Sequence, residues 1–176
     1  TENGYSDGNP AWSPDGTRIA FSRLIGDDPF PFVIGVDGMG EEQVPLPDTL
    51  DGYLYGGPRW SPDGSHLIFA ADLPSHESPW RYICVVAPDG SGFQVLPGVV
   101  EPDIPTHPEY SPDGSRIVYS QHEFGTSISA LWTLKADGTD PVQISFRSDW
   151  DERTPSWAPS GDRLVFQGNQ PGITGF

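Results

Sequence analysis

The chain has 176 residues, enough for one hydrophobic core and too few for two comfortable ones. Its 21 glycines and 20 prolines mark a turn-rich chain, yet its aromatics, at 12 %, fall with β-branched residues in short ordered bursts, which excludes disorder. Nine scattered basic residues against 25 acidic ones give a formal charge of −16, which excludes a nucleic-acid footprint and favours cations or basic partners, and no apolar run is long enough to span a membrane.

In chain order, Thr1 to Asn9 read as a loop leading into the first strand. Neither an initiator Met nor a leader peptide is visible there, which points to a processed N-terminus or to a piece of something longer. A first strand is expected from Pro10 through Trp12. Ser13-Pro14-Asp15-Gly16 then reads as a turn, because Pro presets φ, Asp bonds the turn backbone and Gly takes the left-handed conformation. Arg18–Phe21 is a second strand, Phe32–Val36 a third, and Asp37-Gly38 a hairpin turn into a short fourth strand at Gln43-Val44.

The same order recurs from Pro58, Pro108 and Pro155, each opening a copy of Pro-x-(Trp/Tyr)-(Ser/Ala)-Pro-(Asp/Ser)-Gly. The period is about 48 residues, in the range of propeller repeats. Second strands follow at His66–Phe69, Arg116–Tyr119 and Arg163–Phe166, third strands at Tyr82–Val86 and Leu131–Leu134, and fourth strands at Phe93–Leu96 and Val142–Ile144. Each unit is therefore a four-stranded antiparallel meander, and no amphipathic helix interrupts the series. One such sheet cannot bury both faces, whereas radial stacking does. Trp12, Trp60, Tyr110 and Trp157 hold one position in every copy and are expected in the core between units. Asp15, Asp63 and Asp113 are expected as turn residues, and Cys84, inside an apolar burst, as a small buried hydrophobe.

The run Pro-x-Trp-Ser-Pro-Asp-Gly followed by Arg-Ile-Ala-Phe resembles the repeat of TolB-type, WD-like β-propellers, from Pro10 to Phe166. The expected fold is all-β: a β-propeller of four-stranded antiparallel meander blades. About three and a half blades lie in this chain, a partial ring. A single domain over residues 1–176 would divide into units 10–57, 58–107, 108–154 and an unfinished 155–176. The ring then needs further blades or another chain to close it. The resemblance implies a periplasmic or secreted, bacterial-type location. It also spans propellers joined to prolyl-oligopeptidase-like hydrolases and oligogalacturonate lyases. No Gly-x-Ser-x-Gly elbow is present, and His66, His76, His107 and His122 are dispersed with no pair at metal-ligand spacing.

Loops that vary between copies, on a scaffold that does not, are where binding residues gather. The variable segments are Leu24–Pro31, Pro47–Gly57, Ala71–Arg81, Pro97–His107, Gln121–Ala130 and Phe146–Thr154. They carry the candidate binding residues Asp27, Asp28, Tyr53, Tyr55, His76, Trp80, His122, Glu123, Asp149, Trp150, Asp151 and Glu152. Acid beside aromatic suits a basic peptide, a cation or a sugar. No cofactor is expected, calcium at Asp149–Glu152 being the one considered, although the spacing of an EF-hand loop is absent. Three functional readings stay open: a non-catalytic extracytoplasmic module binding a protein or ligand; a structural subunit that closes its ring or assembles further by strand pairing with other chains, including copies of itself; and the propeller part of a sugar-active enzyme or peptidase.

Overall fold

A computed structural model describes residues 4–48, 50, 54–73, 81–99, 104–122, 126, 128–146 and 149–170. Every regular element in it is a strand. The first sheet holds β1 (Asp7–Trp12), β2 (Arg18–Ile25), β3 (Asp28–Gly35) and β4 (Glu42–Gln43). The second holds β5 (Leu54–Trp60), β6 (Leu67–Asp72), β7 (Arg81–Val86) and β8 (Gln94–Val95). The third holds β9 (Ile104–Tyr110), β10 (Arg116–His122), β11 (Ser129–Lys135) and β12 (Val142–Gln143), and the fourth β13 (Asp151–Trp157) and β14 (Leu164–Asn169). Each sheet is an antiparallel meander in sequence order. Its first strand packs on the first strand of the next sheet, β1 on β5, β5 on β9 and β9 on β13. The four sheets thus fan around their first strands as a partial propeller.

The repeated turn explains why each meander starts the same way. Ser13 Oγ donates to Asp15 Oδ1 at 2.6 Å and accepts from Arg18 N at 2.9 Å, while Gly16, at φ +70°, returns its N–H to Ser13 O. Thr17 N adds a second bond to the same Asp15 oxygen. Ser61/Asp63 and Ser111/Asp113 repeat this network. Hydrogen bonds from these Ser and Thr groups hold Asp15, Asp63 and Asp113 down at about 2, from an ordinary 3.8. The carboxylates are turn fasteners, as their position predicts. In the fourth copy, where Ser160 replaces Asp, the backbone bond from Gly161 N to Ala158 O still closes the turn.

The first strands begin earlier than Pro10, Pro58, Pro108 and Pro155. Asp7↔Arg23 and Gly8↔Ser22 already pair, so the stretch before Pro10 is not wholly a loop. The register then slips, and Ala11 pairs with Ala20. The same slip occurs between Tyr55 and Arg59, Thr106 and Glu109, and Arg153 and Ser156. Proline has no N–H for the ladder, so the strand bulges there and resumes on the other side. The residue before the proline takes a left-handed conformation in all four sheets: Asn9 (φ 52°), Gly57 (72°), His107 (53°) and Thr154 (48°). The segments Pro47–Gly57, Pro97–His107 and Phe146–Thr154, expected as loops, therefore end inside strands. Leu24–Pro31 is likewise mostly ladder, with a tight turn at Gly26-Asp27 whose glycine sits at φ +67°.

Two apolar layers lie between sheets. Ala20, Val33 and Val44 meet Leu54, Trp60, Leu67, Phe69 and Cys84 in the first. Ile68, Ile83, Val85 and Leu96 meet Ile117, Tyr119 and Leu134 in the second. Burial pushes the Cys84 thiol up to about 12, so it is an inert core group. Trp60 is 8 % exposed, as the core expectation requires, but Trp12 is 63 % exposed. The difference is a neighbour: Trp60 packs on the sheet before it, and no described sheet precedes Trp12.

Candidate functional site

The bulges of the first strands place polar side chains where the four sheets converge. Asn9, Arg59, His107, Glu109, Thr154 and Ser156 line a cavity of about 310 Å³ together with Gly56 and Pro155. Two glycines of the second sheet make the space. A Cβ on Gly56 would stand 2.6 Å from His107 Cδ2, and one on Gly57 2.3 Å from Asn9 Cβ. The close approach of Asn9 and of His107 to the second sheet thus depends on its presenting no side chain there.

The cavity mixes charges. Arg59 donates to Pro58 O at 3.4 Å. Glu109 Oε1 accepts from Ser156 Oγ at 3.0 Å and from Trp157 N at 2.9 Å, which ties the third sheet to the fourth. His107 is half-buried, and its Nδ1 has no hydrogen-bond partner among the described residues. Burial, and then the charges of Arg59, Arg153 and Arg81, lower its pKa below the ordinary 6.5. His107 therefore shares a small polar space with Arg59 and Glu109, while its Nδ1 is turned into buried surroundings.

The residues predicted as binding sites disperse. Tyr53, His76, Trp80 and Glu123 lie outside the described residues. Asp27 is exposed in the first sheet's hairpin turn, whereas Asp28 is a strand residue paired with Ile25, not a loop residue. Tyr55 also lies in a strand, β5. Its hydroxyl donates to Asp72 Oδ2 at 3.0 Å and its ring lies under Arg81, and burial raises its pKa. Asp149 is exposed and Trp150 half-buried. Asp151 and Glu152 are buried in β13, the first accepting from Ser129 N at 3.0 Å and pairing with Arg153 at 2.6 Å. His122 reaches the same Ser129 through Nδ1 at 3.5 Å. So His122 and Asp151 meet at the junction of the third and fourth sheets, while Asp27, Asp28 and Tyr55 sit on the first and second. Among the described residues no three His, Cys, Asp or Glu side chains converge as a metal site.

The cavity is not visible in the sequence because its residues flank the repeat's proline, where an expected loop end proves to be the inner strand of a sheet. His107 reads as a loop residue but lies in β9. The signal that marks it is positional: it is the residue before the repeat's proline, as are Asn9 and Thr154.

Four meander sheets fanned around their inner strands, with a polar cavity where those strands meet, define a β-propeller. The TolB beta propeller domain model matches residues 8–176, and the chain belongs to that family. No curated protein matches it. Among solved structures, a putative TolB from Agrobacterium tumefaciens is 18 % identical with a TM-score of 0.74, over 98 % of this chain and 61 % of that one. TolB from Acinetobacter baumannii is 16 % identical with a TM-score of 0.73, over 96 % and 39 %. An oligogalacturonate lyase from Vibrio parahaemolyticus is 15 % identical with a TM-score of 0.70, over 98 % and 50 %. The chain thus spans less than two thirds of each, and at these identities the likeness is one of fold.

Proposed function

We propose that this chain is a non-catalytic binding module of a propeller that works outside the cytoplasm, and that it takes a peptide segment of a protein partner at the central cavity. The observation that carries the reading is the cavity itself. Arg59, His107, Thr154 and Ser156 line one space and come from three different sheets. Such a set recognises a polar side chain, one that offers an acceptor to Arg59, and supplies no activated nucleophile. The charge of −16 favours a basic partner overall and steers it by long-range attraction. The extracytoplasmic assignment draws on membership of the TolB propeller family.

Short basic peptides with a central Glu, Gln or Ala, titrated by fluorescence polarisation, test this. The Glu and Gln peptides should bind, more weakly as salt rises, and the Ala peptide about tenfold less tightly, the value of one charged hydrogen bond. Arg59→Ala should erase that difference. Absence of binding by all three, or binding indifferent to Arg59→Ala, refutes the reading.

A further inference from the structure

Consecutive sheets meet at their turn ends in one way. The repeated turns stack, so that a Cβ on Gly64 would stand 3.6 Å from Pro14 Cδ and one on Gly114 3.9 Å from Pro62 Cδ. The aromatic residue that ends a first strand then lies near the residue two places after the turn glycine of the preceding sheet. Between the first two sheets this pair is Trp60 and Arg18. The Arg18 guanidinium carbon stands 4.6 Å from the centre of the Trp60 ring, and Trp60 is buried beneath it. Asp15 supplies an acid nearby: hydrogen bonds from Ser13 and Thr17, and then the charge of Arg18, hold its pKa down. The molecule thus builds, from its own residues, a seat for a guanidinium over a ring and beside a carboxylate.

Between the second and third sheets the ring and the acid remain, and the guanidinium is missing. His66 holds the place of Arg18, and its shorter side chain is tied through Nδ1 to Ser65 Oγ at 2.7 Å. A groove of about 310 Å³ is open there, walled by Pro62, Asp63, Ser65, His66, Tyr110 and Asp113. Tyr110 is half-buried, and burial, then the charge of Asp63, raise the pKa of its hydroxyl. The turn bonds to these two carboxylates all fall on Oδ1. Oδ2 of Asp63 and of Asp113 accepts none of them, and both groups stay ionised with pKa values of about 2.

The interface between the third and fourth sheets differs. Arg116 is present but turned aside, its Nη2 donating to Thr133 Oγ1 at 2.8 Å. Arg18 has no such acceptor, because Val33 holds the place of Thr133 in the ladder. Arg116 still lines a groove with Trp157, and its charge opposes a second cation there. Of the three interfaces, only the one at Tyr110 offers a ring and two carboxylates with no guanidinium of its own.

The geometry points to a second binding site, apart from the central cavity: the groove at Tyr110 takes the guanidinium of an arginine side chain from a basic partner, seated over the ring and beside Asp63 and Asp113. The incoming group takes the place that Arg18 holds over Trp60. Attraction between a cation and an aromatic face grows as water is excluded, and the two carboxylates add a contribution that salt screens. The charge of −16 steers a basic segment towards the molecule.

Titration of the isotope-labelled 176-residue chain with N-acetyl-arginine amide, followed by amide chemical shifts, tests this against N-acetyl-citrulline amide, its neutral isostere. Expected are saturable shifts at the amides of Ser65, His66 and Gly114, with a Kd on the order of millimolar for one cation on one ring, weakening as salt rises. The citrulline amide should leave these amides in place. His66→Arg installs the residue that the other three copies carry, so the variant should fold with an undiminished Tm. It should fill the groove from within and weaken binding at least about tenfold, as displacement from a site already occupied does. Asp63→Asn together with Asp113→Asn keeps the turn acceptors and removes both charges, and should weaken binding about threefold. Shifts that are absent, that do not saturate, that the citrulline amide reproduces, or that persist at full size in His66→Arg overturn the assignment.

Discussion

Truncating Trp60 and Trp12 to alanine makes one chemical change at equivalent positions of two repeats, and the structure assigns the two changes different magnitudes. Trp60 lies in the layer between the first two sheets, and its indole N–H is the donor to Ala11 O. Removing a buried Trp costs about 3–5 kcal/mol. Leaving the Ala11 carbonyl without its donor adds about 1 kcal/mol. At roughly 2–4 °C per kcal/mol for a chain of this size, Trp60→Ala should lower Tm by about 10–20 °C. Trp12 is mostly exposed, and Trp12→Ala should stay within about 0.5 kcal/mol of the parent. Trp60→Phe, which keeps a ring but not the N–H, should fall between. Urea unfolding followed by circular dichroism measures all three. Equal losses at Trp12 and Trp60, or a larger one at Trp12, would refute the assignment of these aromatics to the face of the preceding sheet.

Two further changes test the bulge and the turn. Gly57→Ala combines a left-handed φ of +72° with a Cβ 2.3 Å from Asn9 Cβ, so it should cost more than Gly16→Ala, where φ is +70° but the space is empty. The turn strain alone is about 1 kcal/mol, and the excess in thermal melts reports the close approach of the inner strands. For the turn carboxylates, the folded pKa of about 2 lies below the ordinary 3.8, so their contribution is present above pH 4 and is lost as pH falls towards 2. The urea midpoint should drop across that window. Replacing Asp15, Asp63 and Asp113 together with Asn should flatten the drop, and an unchanged slope would mean that other groups carry it.

The fold was legible because the repeat couples independent signals in one short run. Proline, aspartate and glycine specify the turn, Arg-Ile-Ala-Phe the strand after it, and recurrence near 48 residues the stacking. The strand starts were not legible, since sequence alone reads Asn9-Pro10 or His107-Pro108 as a break. In the fold it is a bulge inside a longer strand, because the ladder on either side of the proline is held by the sheet as a whole. That error moved the candidate site outward. Once Leu54–Gly57, Ile104–His107 and Asp151–Thr154 are strand, half of each supposed loop faces the centre, and Asp151 and Glu152 turn from solvent into the junction of two sheets. Acidity was a poor guide for the same reason. A carboxylate such as Asp151 can be spent on a neighbouring backbone N–H as readily as on a ligand.

The fate of a repeated residue is set by the next sheet along, and this links the cavity to the outer faces. Tryptophan at one repeat position is core at Trp60 and surface at Trp12, and the apolar residue of the second strand is core at Val118 and surface at Val165. The cavity follows the same logic, since its walls come from inner strands of successive sheets and each added sheet contributes another residue before a proline. Closing the ring would therefore enclose the space between Arg59 and His107 further and lower its dielectric. A hydrogen bond to a charged group is stronger in such a setting than in open solvent. Ligand affinity at the cavity should therefore be higher in a closed ring than in these four sheets alone, and peptide titration of the 176-residue chain measures the part that the four sheets supply.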